Sequence, residues 1–172
     1  MIAEMELAIH NTIEEKLKSL LGEQYEGKHP EHDFMVYHIH KSRIVESLEL
    51  LKTDADLNFH FLTTLCASHF PENKGAEFAM MYQLHNMYQN VRIRIKTQLP
   101  ENELSLPSIT HLWPSANWME RQEFDFFGIN FEGHPDLRRI LNMDEMNYFP
   151  LRKEYRLEDA GRDDKDDKFF GR

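Results

Sequence analysis

Phe78, Met80, Tyr82 and Leu84 alternate with Glu77, Ala79, Gln83 and His85, and beyond a turn near Asn86–Asn90 the residues Val91, Ile93 and Ile95 alternate with Arg92, Arg94 and Lys96. A period of two sends successive side chains to opposite faces of a pleated strand. Two such runs around a polar break form a hairpin with one apolar face. Whatever else the chain builds has to cover that face. The basic face of the second run is either solvated or set against an acidic partner.

Elements suited to the covering precede the hairpin. In residues 2–21, Ile2, Met5, Ile9, Ile13, Leu17 and Leu20 recur at helical steps. Glu4 and Glu6 lie at the start of that helix and Lys16 and Lys18 near its end, in the sense of the helix dipole. Gly22 stops it. Residues 22–33 read as a polar connector. Residues 34–40 read as a strand, with Met35, Tyr37 and Ile39 on one face and Phe34, Val36, His38 and His40 on the other. Ser42 is placed to cap a second helix to about Thr53, with Ile44, Val45, Leu48 and Leu51 inward. Residues 58–66, rich in aromatic and β-branched types, read as another strand. A loop from Pro100 to Pro107 then leads to helix over most of 108–127. The expected fold is α+β: N-terminal helices on a roughly four-stranded mixed sheet, with an extended C-terminal arm. At 172 residues the chain divides into a core domain, 1–128, and the arm, 129–172.

The stretch from Leu112 to Leu141 holds both tryptophans, Trp113 and Trp118, with Phe124, Phe126, Phe127 and Phe131. Glu120, Arg121, Glu123, Asp125, Asp136, Arg138 and Arg139 are threaded among them. Asn117 followed by Glu120 reads as a helix N-terminus, and Gly128 as a left-handed cap at the other end. Arg121 and Asp125 stand one turn apart and can pair. Aromatic and charged residues share every face of this helix, unlike an ordinary surface helix. It is therefore either deeply buried with its charges paired or pressed between two protein surfaces. From Ile129 onward Gly133, Pro135 and Pro150 interrupt Phe131, Leu137, Ile140, Leu141, Met146, Phe149 and Leu151, which argues for burial against a second protein rather than in the domain's own core. The arm is expected to be largely mobile in the isolated chain and ordered along a partner, with the acidic end, Asp163 to Asp167, mobile even then.

Composition narrows the function. A formal charge of −10 argues against nucleic acid as a partner and against direct adhesion to anionic lipid. No apolar run approaches the ~20 residues of a membrane-spanning helix, and the acidic N-terminus lacks the pattern of a secretory signal. The single Cys66 excludes an internal disulfide and a four-cysteine iron–sulfur cluster, and it reads as a small core residue. There is no Gly-rich phosphate loop and no nucleophile elbow. His29, His32, His38 and His40 lack the companions of a zinc site. His134, between Gly133 and Pro135, reads as the holder of a turn ahead of a helix starting at Pro135. Glu120, Glu123 and Asp125 could serve acid–base chemistry, but the arginines beside them argue for structural pairing. Arg138, Arg139, Arg152, Lys153 and Arg156 suit carboxylate partners across an interface, or remain exposed charges. These observations expect no catalytic, cofactor-binding or metal-binding residue on this chain.

A family resemblance lies in the same stretch. Trp118, Glu120, Arg121, Asp125, Phe127, Gly128, Ile129, Phe131, Gly133, His134, Pro135, Leu137, Arg139, Ile140 and Leu141 match a pattern that resembles the signature of the C subunit (NuoC family) of the proton-pumping NADH:quinone oxidoreductase, respiratory complex I. The block from Phe149 to Tyr155 resembles a second signature of that family. Gln122, Tyr148–Phe149 and Arg156 depart from it. The resemblance implies an accessory, non-catalytic component of the peripheral arm, on the cytoplasmic side of the inner membrane and attached to it only through the complex. It implies packing against the quinone-site subunit (the D subunit in bacterial naming) and other peripheral-arm subunits, with NADH, FMN, iron–sulfur clusters and quinone held elsewhere in the assembly. The interface residues expected are Trp118, Glu120, Arg121, Asp125, Gly128, His134, Pro135, Arg138, Arg139 and Arg152. Alternatives are the equivalent subunit of a related membrane-bound hydrogenase or of a ferredoxin- or F420-linked complex and, from another class, a free-standing metal-dependent hydrolase.

Overall fold

The computed structural model describes residues 2–155. Helix α1 (Ile2–Leu21) ends at Gly22, whose φ of +55° turns the chain out of the helix. Strand β1 (Tyr25–Glu31) and strand β2 (Phe34–Ile39) form an antiparallel hairpin. Helix α2 (Ile44–Thr53) leads to strand β3 (Phe61–His69). Strands β4 (Phe78–Asn86) and β5 (Val91–Leu99) are the hairpin expected from the alternation, and their inward residues are buried without exception. The five strands make one mixed sheet in the order β1-β2-β5-β4-β3, with β2 parallel to β5. A shorter strand β6 (Ser105–Pro107), helix α3 (Ala116–Phe127) and strand β7 (Asn130–Glu132) follow, with β6 and β7 paired in parallel.

One core unites these pieces. Ile9, Ile13, Leu17 and Leu21 of α1 and Ile44, Leu48 and Leu51 of α2 pack with Tyr37, Ile39, Met80, Tyr82, Leu84, Ile93 and Ile95 of the sheet. Leu20 is exposed while Leu21 is buried, so the apolar stripe of α1 advances by one residue at its last turn.

Four sequence expectations need correction. The polar connector contains β1, whose side chains lack alternation because it pairs through backbone at the sheet edge. Gly27 sits at a bulge there and Pro30 is tolerated on the open side. Ser42 does not cap α2. Instead the His40 ring accepts the Ser42 amide and starts a 3-10 turn, Lys41–Arg43, ahead of the helix. The strand read at 58–66 is Phe61–His69, because Asn58, at a φ of +45°, turns the chain and buries Leu57 and Phe59 as plugs. Residues 108–115 form turns rather than helix, since the Ser108 hydroxyl and Ile109 amide are held by a side chain of α3.

Candidate functional site

Helix α3 buries Glu120, Arg121, Glu123 and Asp125. It has no polar face because its carboxylates satisfy backbone amides that no strand or helix partner reaches, and buried amides require such partners. Glu120 accepts the Ile109 amide and the Ser108 hydroxyl, both at 2.7 Å. Glu123 accepts the Ala67 amide at 2.8 Å on the outer side of β3, so α3 closes that edge of the sheet. Asp125 accepts three consecutive amides, Ile140 at 3.1 Å, Leu141 at 2.8 Å and Asn142 at 3.0 Å. Its other oxygen takes Arg139 at 2.9 Å and the Asn142 side chain at 3.0 Å. The helix is a hub that ties three stretches of chain to one axis.

The three acids differ electrostatically. Burial raises the Glu120 carboxyl, and its Ser108 and Ile109 donors only partly offset this. Burial pushes Glu123 up to about 7 against the Ala67 and Gln122 donors. Burial alone would also raise Asp125, but the Asn142, Leu141 and Ile140 donors outweigh it and hold that carboxyl well below its usual range.

The expected Arg121–Asp125 pair does not form. The Arg121 guanidinium lies 4.8 Å over the Trp118 ring and donates to the carbonyls of Arg138 at 3.2 Å and Arg139 at 3.4 Å. Asp125 turns to Arg139 because the incoming chain supplies three amides as well as a cation. Asn117 does not cap the helix, which starts at Ala116 without a side-chain cap. Its carbonyl instead faces His134 Nε2 at 3.1 Å. His134 Nδ1 accepts the Asp136 amide at 3.0 Å, which places the ring proton on Nε2. The turn at Gly133–Asp136 is therefore pinned by His134, and Pro135 opens no helix.

Beyond Gly128 the chain folds back over the end of α3. Ile129 and Phe131 enter the core, which overturns the expectation that apolar residues past Ile129 stay out of it. The last carbonyls of α3 receive donors from the arm: Leu151 N–H to Phe126 at 3.2 Å, and Arg152 Nε to Phe127 at 2.7 Å. Arg152 also lies 4.7 Å from the Phe149 ring and 5.2 Å from Phe78. The Lys153 amide reaches His69 Nδ1 at 3.0 Å. Arg139 and Arg152 are thus committed within the chain, whereas Arg138 is exposed beside Asp136. Arg156 and the acidic end from Asp163 to Asp167 lie outside the described residues.

Apolar side chains remain uncovered along this seam. Trp118 is 64% exposed and Leu141 and Met143 are each 69% exposed, with Tyr148, Leu151 and Tyr155 also open. The arm's inner side is fixed by hydrogen bonds and its outer side is apolar, which suits protein contact. Glu123, Asn142 and Phe149 join the site through partners that lie 56, 17 and 21 positions away along the chain, beyond the reach of any local spacing rule. Among the described residues no group of three or more His, Cys, Asp or Glu could hold a metal ion. No described helix is long and apolar enough to cross a membrane.

Comparison with known proteins places this geometry among relatives. The family described as respiratory-chain NADH dehydrogenase, 30 Kd subunit, matches residues 37–161. The NADH-quinone oxidoreductase C subunit of Ruegeria pomeroyi is 43% identical over 114 residues, 66% of this chain and 56% of that protein. A C/D fusion subunit of NADH-quinone oxidoreductase from Acinetobacter baumannii is 39% identical over 149 residues, 83% of this chain and 25% of that protein. The chain thus spans about half the length of the first relative and a quarter of the second. A solved trypsin-resistant fragment of Nqo5 superposes with a TM-score of 0.61 at 28% identity, covering 73% of this chain and 98% of the fragment. A chain of an archaeal membrane-bound sulfane sulfur reductase, a respiratory membrane complex, gives 0.69 at 26% identity, covering 84% of this chain and 85% of that one.

Proposed function

Because this chain belongs to the family of the 30 kDa subunit of respiratory-chain NADH dehydrogenase, we propose that it is a non-catalytic scaffold subunit of an NADH:quinone oxidoreductase. In this reading it sits in the peripheral arm, on the cytoplasmic side of the inner membrane, and reaches the membrane only through its neighbours. It binds no cofactor itself. NADH, FMN, the iron–sulfur clusters and quinone are handled by other subunits. Its partner is the quinone-site subunit, and the existence of fused C/D relatives supports that pairing.

The observation that carries the reading is the arm. Asp125, Gly128 and the carbonyls at the end of α3 fix residues 138–153 from within, while Trp118, Leu141 and Met143 face outward. The buried charges support the fold. Those of α3 are spent on amides, carbonyls and one arginine of the same chain. An apolar surface fixed from within suits the positioning of a neighbour.

The likeness to the sulfane sulfur reductase chain supports a second reading, the equivalent subunit of a related membrane complex. Affinity purification from membranes through a tag on this chain separates the two. Recovery of NADH:quinone reductase activity together with a homologue of the quinone-site subunit supports the first. Recovery of a complex without NADH oxidation supports the second.

A further inference from the structure

Residues 152 and 153 of the arm meet the sheet at one end. Arg152 lies against Phe78, the first residue of β4, and the Lys153 amide bonds His69, the last residue of β3. The other end of these strands is roughly 25–30 Å away, at about 3.3 Å per extended residue. There β3 begins with Phe61, β4 ends at Asn86, and the turn carries Met87 and Tyr88. Phe61 is 47%, Met87 58% and Tyr88 81% exposed.

This far turn is built rather than loose. The buried Asn86 side chain accepts the amides of Tyr88 and Gln89, both at 3.0 Å, and donates to the Leu57 carbonyl at 2.7 Å. Asn90, at a φ of +53°, closes the turn into β5. The Tyr88 ring lies 5.2 Å from His60, whose carbonyl is held by the Trp113 indole at 2.9 Å. An aromatic side chain on a braced turn loses little freedom on contact, which is the property of an interface anchor.

Arg92 brings a positive charge to this end. The strand register sets Phe61, His85 and Arg92 in one row across β3, β4 and β5. Arg92 is exposed and has no ion-pair partner among the described residues, in a chain of net charge −10. The carboxylates of the neighbouring β1–β2 turn are Glu31 and Asp33, and Glu31 is engaged by Lys96 at 2.6 Å. An apolar trio with an unpaired guanidinium beside it complements a segment that offers an apolar side chain flanked by a carboxylate.

We infer that this end of the sheet docks a second protein subunit through such an acidic-flanked apolar segment, so that the chain bridges two neighbours, one at each end of β3 and β4. The inference rests on the scaffold reading above.

Photocross-linking within the assembled complex tests it. Tyr88 and, separately, Leu141 are replaced by p-benzoylphenylalanine, and the cross-linked peptides are mapped. The Tyr88 probe should reach a protein other than the one reached from Leu141, at a peptide with Asp or Glu beside an apolar residue. Arg92→Glu should lower the Tyr88 yield by at least about tenfold through like-charge repulsion, and Arg92→Lys should keep most of it. A Tyr88 cross-link to a second copy of this chain, to lipid or to the Leu141 partner overturns the inference. So does an absent cross-link, or a yield indifferent to Arg92→Glu. A failed Leu141 cross-link with the Tyr88 result intact would count against the arm reading and overturn the bridge, while the Tyr88 docking surface itself would be supported.

Discussion

The Phe149 ring occupies the place where a side chain on residue 128 would stand: a Cβ built on Gly128 would lie 2.6 Å from Phe149 Cε2 and Cζ. Gly128 also has a φ of +76°. It therefore serves as both the left-handed stop of α3 and the seat of the arm.

Gly128→Ala should strain the backbone by roughly 1–3 kcal/mol and displace Phe149. Urea denaturation of Gly128→Ala, Phe149→Ala and the double variant measures the link. We expect the two losses to be non-additive, the double variant being less damaged than the sum of the singles. Strictly additive losses would mean that Phe149 does not rest on Gly128.

Asp125→Asn keeps the shape of the side chain and removes its charge. The Arg139 guanidinium then loses its carboxylate, and one acceptor facing the Ile140, Leu141 and Asn142 amides becomes a poorer one. Breaking a buried pair of this kind costs roughly 3–5 kcal/mol. Because the folded carboxyl sits below its ordinary value, its stabilisation is present above the unfolded value and is lost as the pH falls through the folded one. Acid titration of stability should show that loss in the wild type and not in Asp125→Asn.

Glu123 carries the opposite sign. Its carboxyl is held at about 7 in the folded chain against an ordinary 4.5. The folded state therefore binds the proton more tightly, and stability declines as the pH rises from about 4.5 to beyond 7. Glu123→Gln retains an acceptor for the Ala67 amide and cannot ionise. At pH values above 7 the variant should be more stable than the wild type by roughly 2–4 kcal/mol at about 1.4 kcal/mol per unit, and near pH 4 the two should converge. Thermal melts across that range check the slope.

How much of this was legible in the sequence depended on how far apart the partners stand. The β4–β5 hairpin and α1 were readable because their periods are carried by adjacent residues. Gly128 was readable as a helix stop, but not as a seat for Phe149, because nothing local announces a ring 21 positions later. Residues 120–125 looked like a self-paired helix because a four-residue spacing favours Arg121 with Asp125. Amides at 140–142 compete better, since they bring three donors and Arg139 together. Strand β1 is illegible in the sequence for the converse reason. Its glycine, proline and charged residues carry no apolar period, and its place is set by backbone pairing to β2.

An arm held from within and turned outward to a partner subunit should change its solvent exposure on assembly. Hydroxyl-radical footprinting of the isolated chain and of the membrane-purified complex tests this at oxidisable side chains. Trp118, Met143 and Tyr148 are exposed and Trp113 is buried in the chain. Trp118, Met143 and Tyr148 should be strongly oxidised in the isolated chain and at least about fivefold protected in the complex, as burial in an interface core excludes water, with Trp113 protected in both. Equal oxidation of Trp118, Met143 and Tyr148 in the isolated and assembled states would contradict it.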